Sequence, residues 1–365
     1  MAERRTAVVS DARCLLHLPP GGAPAGQLPA WASVPPFERP ERLALTLGAL
    51  AGSGLLAQVL ELAPRFATED ELRLVHTERH VRGVLAAAAG GSPVEVGTDA
   101  WVGPGTHDAM LLAAGGPLAA VAAVLDGQVD NAFALLRPPG HHAERDAAMG
   151  FCLFNNTALS ARWAQRERGL ARVAIVDWDV YHGNGTEEIF LDDPSVLTVS
   201  LHQDGLYPAD RGGLEVRGTG AGAGCNVNVP MPAGTGDDGY AHAFDRVVAP
   251  VVRGFGPELL VIAAGQDASA TDPLGRMSIT VPGFRALADR AVALASELCD
   301  GRLVAVLEGG YSLLHLPLAN HAILEGLAGL PPTFAALDPI GVDVPTTLRD
   351  VERAAVAAAE RIHLA

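Results

Sequence analysis

Apolar positions along the chain follow two rhythms. Short runs of Val, Ile, Leu and Ala with few polar interruptions occupy 131–136, 173–176, 196–200, 259–263 and 303–307. Runs of that length predict strands covered on both faces, as in a parallel sheet. Between them the spacing turns helical, most plainly where Phe284, Leu287, Ala288, Ala291, Leu294, Ala295 and Leu298 fall on one stripe. Thr68-Glu69-Asp70-Glu71 ahead of Leu72 has the form of a capping box that opens a helix. Residues 18–40, rich in Pro and Gly, predict irregular surface structure, and a terminal helix is expected around 347–362. Strand alternating with helix predicts an α/β fold, a mainly parallel sheet flanked by helices on both faces. No repeat, Ser/Gly linker or charge block divides the sequence, so 1–365 reads as a single domain with a helical tail over 333–365.

The residues with chemical potential collect just after the strands. After 131–136 comes Arg137-Pro138-Pro139-Gly140-His141-His142, and after 173–176 comes Asp177-Trp178-Asp179-Val180-Tyr181-His182-Gly183-Asn184. The later strands lead into His202 to Tyr207, into Gly265-Gln266-Asp267, and into Glu308-Gly309-Gly310-Tyr311. Ligands of open α/β sheets bind at the carboxyl ends of the strands, so five such ends predict one shared site. Each piece alone has a bland reading: an adjacent histidine pair arises by chance, Asp177 and Asp179 could cap a helix, and Tyr311 could be a core aromatic. Together they suggest metal-assisted hydrolysis. Oxygen and nitrogen ligands hold a divalent ion, a histidine takes a proton from water, and a tyrosine hydroxyl meets the developing oxyanion.

Composition narrows the partners. With 42 acidic against 26 basic residues the net charge is −16, which disfavours phosphate-rich nucleic acid. No apolar run reaches the ~18 residues of a membrane span, and no signal-peptide core opens the chain. Cys14, Cys152, Cys225 and Cys299 form no CxxC and read as reduced thiols of a cytoplasmic protein, Cys152 as a core thiol beside the site. No Gly-x-Ser-x-Gly elbow is present, which argues against a serine hydrolase. The glycine run 218–224 lacks the dinucleotide-binding offsets and reads as a loop. His202 reads as a buried packing residue, and His17, His76 and His80 as ordinary surface or core residues.

The string from Arg137 to Ala143, then Met149 to Asn156, Asp177 to Thr186, Ala264 to Ser269, Asp272 to Met277 and Leu307 to Tyr311 resembles the zinc-dependent histone deacetylase family, in particular its class II-type bacterial members and acetylpolyamine amidohydrolases. The likeness covers roughly residues 10–330. It implies the arginase/deacetylase fold around an eight-stranded parallel sheet, and a metal-dependent amidohydrolase that removes an acyl group from an acyl-lysine-like amide. It assigns His142 as general base and later acid, His141 as electrostatic partner, Tyr311 as the hydroxyl that polarises the carbonyl, and Asp179 and Asp267 as zinc ligands. Asp177 would orient His141, and Asn184 would partner His142. Gly150, Phe151 and Tyr207 would line a narrow tunnel, Leu274 would stand at its mouth, and Asp99 would grip substrate backbone at the rim. A structural K+ would lie near Asp177, Asp179 and Ser200. The implied partner is a small-molecule or peptide acyl-amide. The negative charge points mildly to polyamines, whereas an apolar Leu274 suits acyl-lysine substrates.

One position departs from the pattern: Tyr181 stands where the family places a histidine as third zinc ligand. His182 is next, but one step along a strand turns a side chain to the opposite face. Three readings stay open: a phenolate ligand in an all-oxygen site with Asp179 and Asp267; a tyrosine that swings away, leaving two aspartates and water; or a binding protein without catalytic metal. An oxygen-rich site also leaves room for a metal other than zinc.

Overall fold

The structure, a computed structural model, describes residues 4–20, 36–333, 344 and 347–364. Most of the Pro- and Gly-rich stretch, 21–35, and much of the segment that opens the expected tail lie outside the described residues. Eleven strands occur among the described residues: β1 (Thr6–Val9), β2 (Leu60–Leu62), β3 (Val94–Thr98), β4 (Ala100–Val102), β5 (Asn131–Ala134), β6 (Ala148–Met149), β7 (Val173–Asp177), β8 (Val196–Gln203), β9 (Asn226–Met231), β10 (Leu259–Ala264) and β11 (Leu303–Leu307). Eight form one sheet in the order β2-β1-β5-β11-β10-β7-β8-β9, with every neighbouring pair parallel. This is the α/β sheet that the apolar runs predict. The central strands are buried along their whole length, because helices cover both faces.

Register explains why the strand ends make one site. Ala134 pairs with Val306, Val306 with Ala263, Ala263 with Asp177, and Asp177 with Ser200. The carboxyl ends of β5, β11, β10 and β7 therefore lie within one residue of level, β8 runs three residues further, and the five loops that leave them open on one edge. The small sheet β4-β3-β6 stands beside that edge.

Helix Val281–Leu298 buries the predicted stripe from Phe284 to Ala295, with Leu298 half-buried at its end. Thr280 caps it by accepting the Gly283 N–H. The Thr68/Glu71 capping box forms, although it opens only the short helix Glu69–Leu72. The terminal helix runs Asp350–His363, a few residues later than expected, and reaches β9 through His363 and the Asn228 carbonyl. One expectation is corrected. Helix Thr106–Leu125 is long and apolar enough, by length and composition, to cross a membrane. It is mostly buried, with Gly115 and Gly116 against the backbone at Arg65 and the Leu136 side chain, which fits the core helix of this sheet.

His17, His76, His80 and His202, the histidines that the sequence reading left without a site role, are buried. His17 bonds Thr106, His76 bonds the Glu144 carbonyl and the Asn155 N–H, and His202 lies between Ser200 and the Gly212 carbonyl. Burial pushes His17 down to about 4 and His76 and His202 down to about 3. The unfolded chain therefore binds these protons at a pH where the native chain does not, and stability falls as pH falls below the ordinary histidine value near ~6.5. Three such groups give a slope that approaches ~4 kcal/mol per pH unit near pH 5. Urea titrations between pH 7.5 and 5 of the wild type and of His76→Gln and His202→Gln should show a shallower loss in each variant, and variants with the wild-type pH slope would contradict the neutral buried histidines.

Candidate active site

The loop after β5 delivers His141 and His142 side by side, with ring centroids 4.0 Å apart. Each ring is fixed from behind: His141 Nδ1 lies 2.9 Å from Asp177 Oδ2, and His142 Nδ1 lies 2.7 Å from Asn184 Oδ1. An amide oxygen only accepts, so His142 carries its proton on Nδ1 and keeps Nε2 as the basic nitrogen. Glu308 Oε2 accepts the N–H groups of Gly140 and His141, which sets the loop against β11. Burial and the neighbouring His141 hold the His142 imidazolium well below the usual histidine range. Burial also works against a charge on His141, but the Asp179 and Asp177 carboxylates outweigh it and hold that group well above the range. Two adjacent histidines are thus driven apart, one neutral and one charged, as acid–base work requires.

Beyond Asp177 the chain bends, and Asp179 turns into the site. Its Oδ1 accepts the Tyr181 N–H at 2.9 Å and its Oδ2 the Gly309 N–H at 2.8 Å. From the β10 loop, Asp267 Oδ1 accepts the Val180 N–H at 2.8 Å, while its buried Oδ2 meets no donor and faces only the neighbouring Asp179 carboxyl. A Cβ on Gly309 would stand 1.9 Å from Asp267 Oδ2 and 2.6 Å from Asp179 Oδ2. Two carboxylate oxygens crowd one point, and only glycine leaves them room. Burial and the Asp179 charge push the Asp267 carboxyl well above the usual range. An orphaned buried oxygen beside a second carboxylate is satisfied by a cation, so this pair fits a divalent metal ion. His141, Cys152 and Glu308 also gather within 4.8 Å. There, however, Glu308 is engaged by Gly140, His141 and Thr157, and the Cys152 thiol donates to the Gly150 carbonyl, so the trio forms the hydrogen-bonded bed beneath His141.

Above the carboxylates, Asp99, His142, Gly150, Phe151, Tyr181, Leu206, Tyr207, Leu274 and Tyr311 line a pocket of about 230 Å³. Every tunnel and rim residue named from the sequence is in this set. The small sheet positions one wall: the Gly150 N–H donates to the Thr98 carbonyl and the Phe151 N–H to the Asp99 carbonyl. Asp99 and Phe151 both have positive φ, a costly state for residues other than glycine, and it turns both toward the pocket wall. Gly150 is required because a Cβ would meet the His142 ring at 2.6 Å. Tyr311 is buried beneath the guanidinium of Arg42, 4.8 Å from its ring centroid, and its N–H donates to Asp272.

Sequence reasoning missed Arg42, and it gave no role to Leu206 and Glu308, although both lie in strings it singled out after strands. Arg42 donates to the Glu308 and Gly310 carbonyls and so holds the Tyr311 segment, yet it lies far upstream on helix Glu41–Gly52, where no local pattern marks it. Tyr181 lies with its ring 5.9 Å from that of His142 and 5.8 Å from that of Tyr207, and its hydroxyl donates to the Leu274 carbonyl at 3.0 Å. His182 does turn away, toward Glu187 and His202. The segment is a bend, though, so strand alternation is not the reason. The hydrogen bonds of Asp179 to residue 181 and of His182 to the Tyr207 carbonyl set the two directions.

Known proteins resemble the chain over most of its length. The profile of the Histone deacetylase domain matches residues 36–327. A probable deacetylase of Archaeoglobus fulgidus is 45% identical over 295 residues, 80% of this chain and 81% of the relative. A histone deacetylase-like amidohydrolase of Pseudomonas aeruginosa is 42% identical over 346 residues, 92% of this chain and 89% of the relative. The polyamine deacetylase HDAC10 of Homo sapiens is 40% identical over 309 residues, 81% of this chain and 45% of the relative. Among solved structures, the HDA15 HD domain superposes with a TM-score of 0.86 at 36% identity, covering 100% of this chain and 95% of that one.

Proposed function

The chain belongs to the histone deacetylase family, and from that premise we propose how its residues divide the work of a metal-dependent deacetylase that cleaves acyl-lysine-like amides. The observation that carries the reading is that the His142–Asn184 and His141–Asp177 pairs and the crowded Asp179–Asp267 pair converge, with His141 3.8 Å from Asp179, next to a pocket that His142 and Tyr311 line. Asp179 and Asp267 would hold the ion, zinc in most of the family; when bound, it polarises the acyl carbonyl and acidifies water. His142 Nε2 takes a proton from the attacking water as the new C–O bond forms. It returns that proton to the amine nitrogen as the C–N bond breaks. His141, held charged by its carboxylate neighbours, stabilises the negative charge that develops. The Tyr311 hydroxyl donates to the carbonyl oxygen. Phe151 and Tyr207 flank the alkyl chain of the substrate and exclude water. A cavity of about 10 Å³ lined by Asp177, His182, Thr186, Glu187, Ser200 and Asn226, but not by Asp179, has room for one water-sized ion and supports a structural K+ beside Asp177 and Ser200. Free Cys14, Cys152, Cys225 and Cys299 support a reducing, cytoplasmic setting.

Leu274 supports acyl-lysine over acylpolyamine substrates. A polyamine carries charge along its length; Asp99 is the one acidic residue among the described residues of the pocket lining, and Leu274 adds no second counterion at the mouth. Assays with an acetyl-lysine peptide and N-acetylspermidine should favour the peptide at least tenfold in kcat/KM, and Leu274→Glu should shift the ratio toward the polyamine by a similar factor. A wild-type chain that cleaves neither substrate with Zn2+ supplied would sink the hydrolase reading. Preference for the polyamine would sink only the substrate assignment.

A further inference from the structure

We propose that Tyr181 is a latch and not a ligand: its hydroxyl ties the loop that carries Leu274 to the floor of the pocket, and the cation is left to the Asp179 and Asp267 carboxylates. The inference rests on the deacetylase reading and concerns the one position where the chain departs from its family's pattern.

The hydrogen bond separates a proton-donating latch from an anionic ligand. The phenol donates to the Leu274 carbonyl at 3.0 Å. A phenolate ligand has no proton to give, and its charge would then face that carbonyl oxygen at the same separation. The one oxygen therefore either keeps its proton for the loop or gives it up to join the metal as an anion; a phenol that kept this bond would be only a weak neutral donor to the ion. The rest of the loop shows which role it is built for. Asp272 Oδ1 accepts the Leu274 N–H at 2.9 Å, and Asp272 Oδ2 accepts the Tyr311 N–H at 2.6 Å. Gln203 Oε1 accepts the Arg276 N–H at 2.9 Å. Residues 272–276 are thus pinned at both ends, and Tyr181 supplies the tie at the middle, where Leu274 enters the pocket. An imidazole at position 181 is shorter than a phenol and has no hydroxyl to place at that carbonyl.

The consequence is a metal centre made of two carboxylates. Such a set of hard oxygen donors lacks the imidazole that favours zinc, so it discriminates poorly between Zn2+ and Mn2+. Leu274 and the mouth of the pocket depend in turn on the Tyr181 hydroxyl, which makes Tyr181 a positioning residue for substrate fit.

Calorimetric titration of the full chain, cleared of metal by a chelator, tests this with Zn2+ and Mn2+ as probes. Tyr181→Phe should keep the wild-type Kd for both ions within threefold. With an acetyl-lysine peptide, the loss in its kcat/KM should lie mainly in a KM raised fivefold or more. Tyr181→His should bind Zn2+ at least tenfold more tightly than wild type and widen the Zn2+/Mn2+ ratio. A tenfold or greater loss of Zn2+ affinity in Tyr181→Phe would overturn the latch and make the phenol a ligand, with the hydrolase reading intact. A Tyr181→His protein that binds no more tightly than wild type would overturn it too, since the native site would then already have its third ligand. No divalent binding by the wild type would overturn both the inference and the reading beneath it.

Discussion

His142→Ala should lower kcat/KM for an acetyl-lysine peptide by roughly 10²- to 10⁴-fold, the usual worth of a positioned general base. The expectation comes from how the side chain is held. Nδ1 is committed to Asn184 Oδ1 at 2.7 Å, so only Nε2 is free to move a proton. Burial and the charge on His141 keep the ring neutral, and a base held below the usual histidine range stays unprotonated as pH falls through ~6.5. The wild-type pH profile should therefore hold its plateau at mildly acidic pH and fall only below the ordinary histidine value. His142→Ala should lower the plateau and remove that acid limb, with Zn2+ affinity kept within a few-fold because the carboxylates are untouched. Single-turnover rates across pH 5 to 8 check both points. An alanine variant that retained the acid limb at a reduced plateau would assign the base to another group, with His141 the first to examine.

Much of this site was legible because its chemistry sits in contiguous strings directly after strands whose apolar runs mark them. His141, His142, Asp177, Asp179, Asp267 and Tyr311 all lie within a few residues of a strand end, and the level register of the sheet brings those ends together. Elements were missed where burial and polarity part company. β9 alternates Asn226 and Asn228 with valines, yet both asparagines are buried, because each donates to the buried Glu187 carboxylate. β2 is an edge strand with two exposed residues and has no apolar signature. Contacts between distant parts of the chain left no local trace. Arg42 reaches the backbone of the Tyr311 segment from the first long helix, and Tyr181 meets a carbonyl on the loop after β10. The sequence marked Tyr181 as anomalous and left three roles open, because the choice depends on where its hydroxyl finds an acceptor, which spacing does not encode.

Asp267→Asn should separate the stability of this protein from its function, raising one while abolishing the other. The Asp267 Oδ2 atom is buried, meets no donor but the Asp179 carboxyl, and shares the space beside Gly309 with an Asp179 oxygen. Without a cation the pair is repulsive, and the native state takes up a proton that the unfolded chain, with an ordinary carboxyl, releases. Linkage sets the sign. A carboxyl whose native pKa is raised contributes full stability below the unfolded value near ~4, and that contribution is lost as pH rises toward the native value. The metal-free wild type should therefore melt lower as pH rises above the ordinary carboxylate range, on top of the opposite trend set by the buried histidines. Asp267→Asn, neutral at every pH, should lose this carboxylate-linked decline and melt a few degrees higher than metal-free wild type near neutrality. Zn2+ should raise the melting temperature of the wild type and leave that of the variant unmoved. Deacetylation by the variant should fall on the order of 10³-fold, because one carboxylate alone does not retain the ion on which water activation depends. Calorimetric melts at several pH values, with and without Zn2+, check the stability half, and peptide turnover checks the rest. A variant that melts below the metal-free wild type would mean that the two acids support each other without a cation, and the case for a metal between Asp179 and Asp267 would fail at its base.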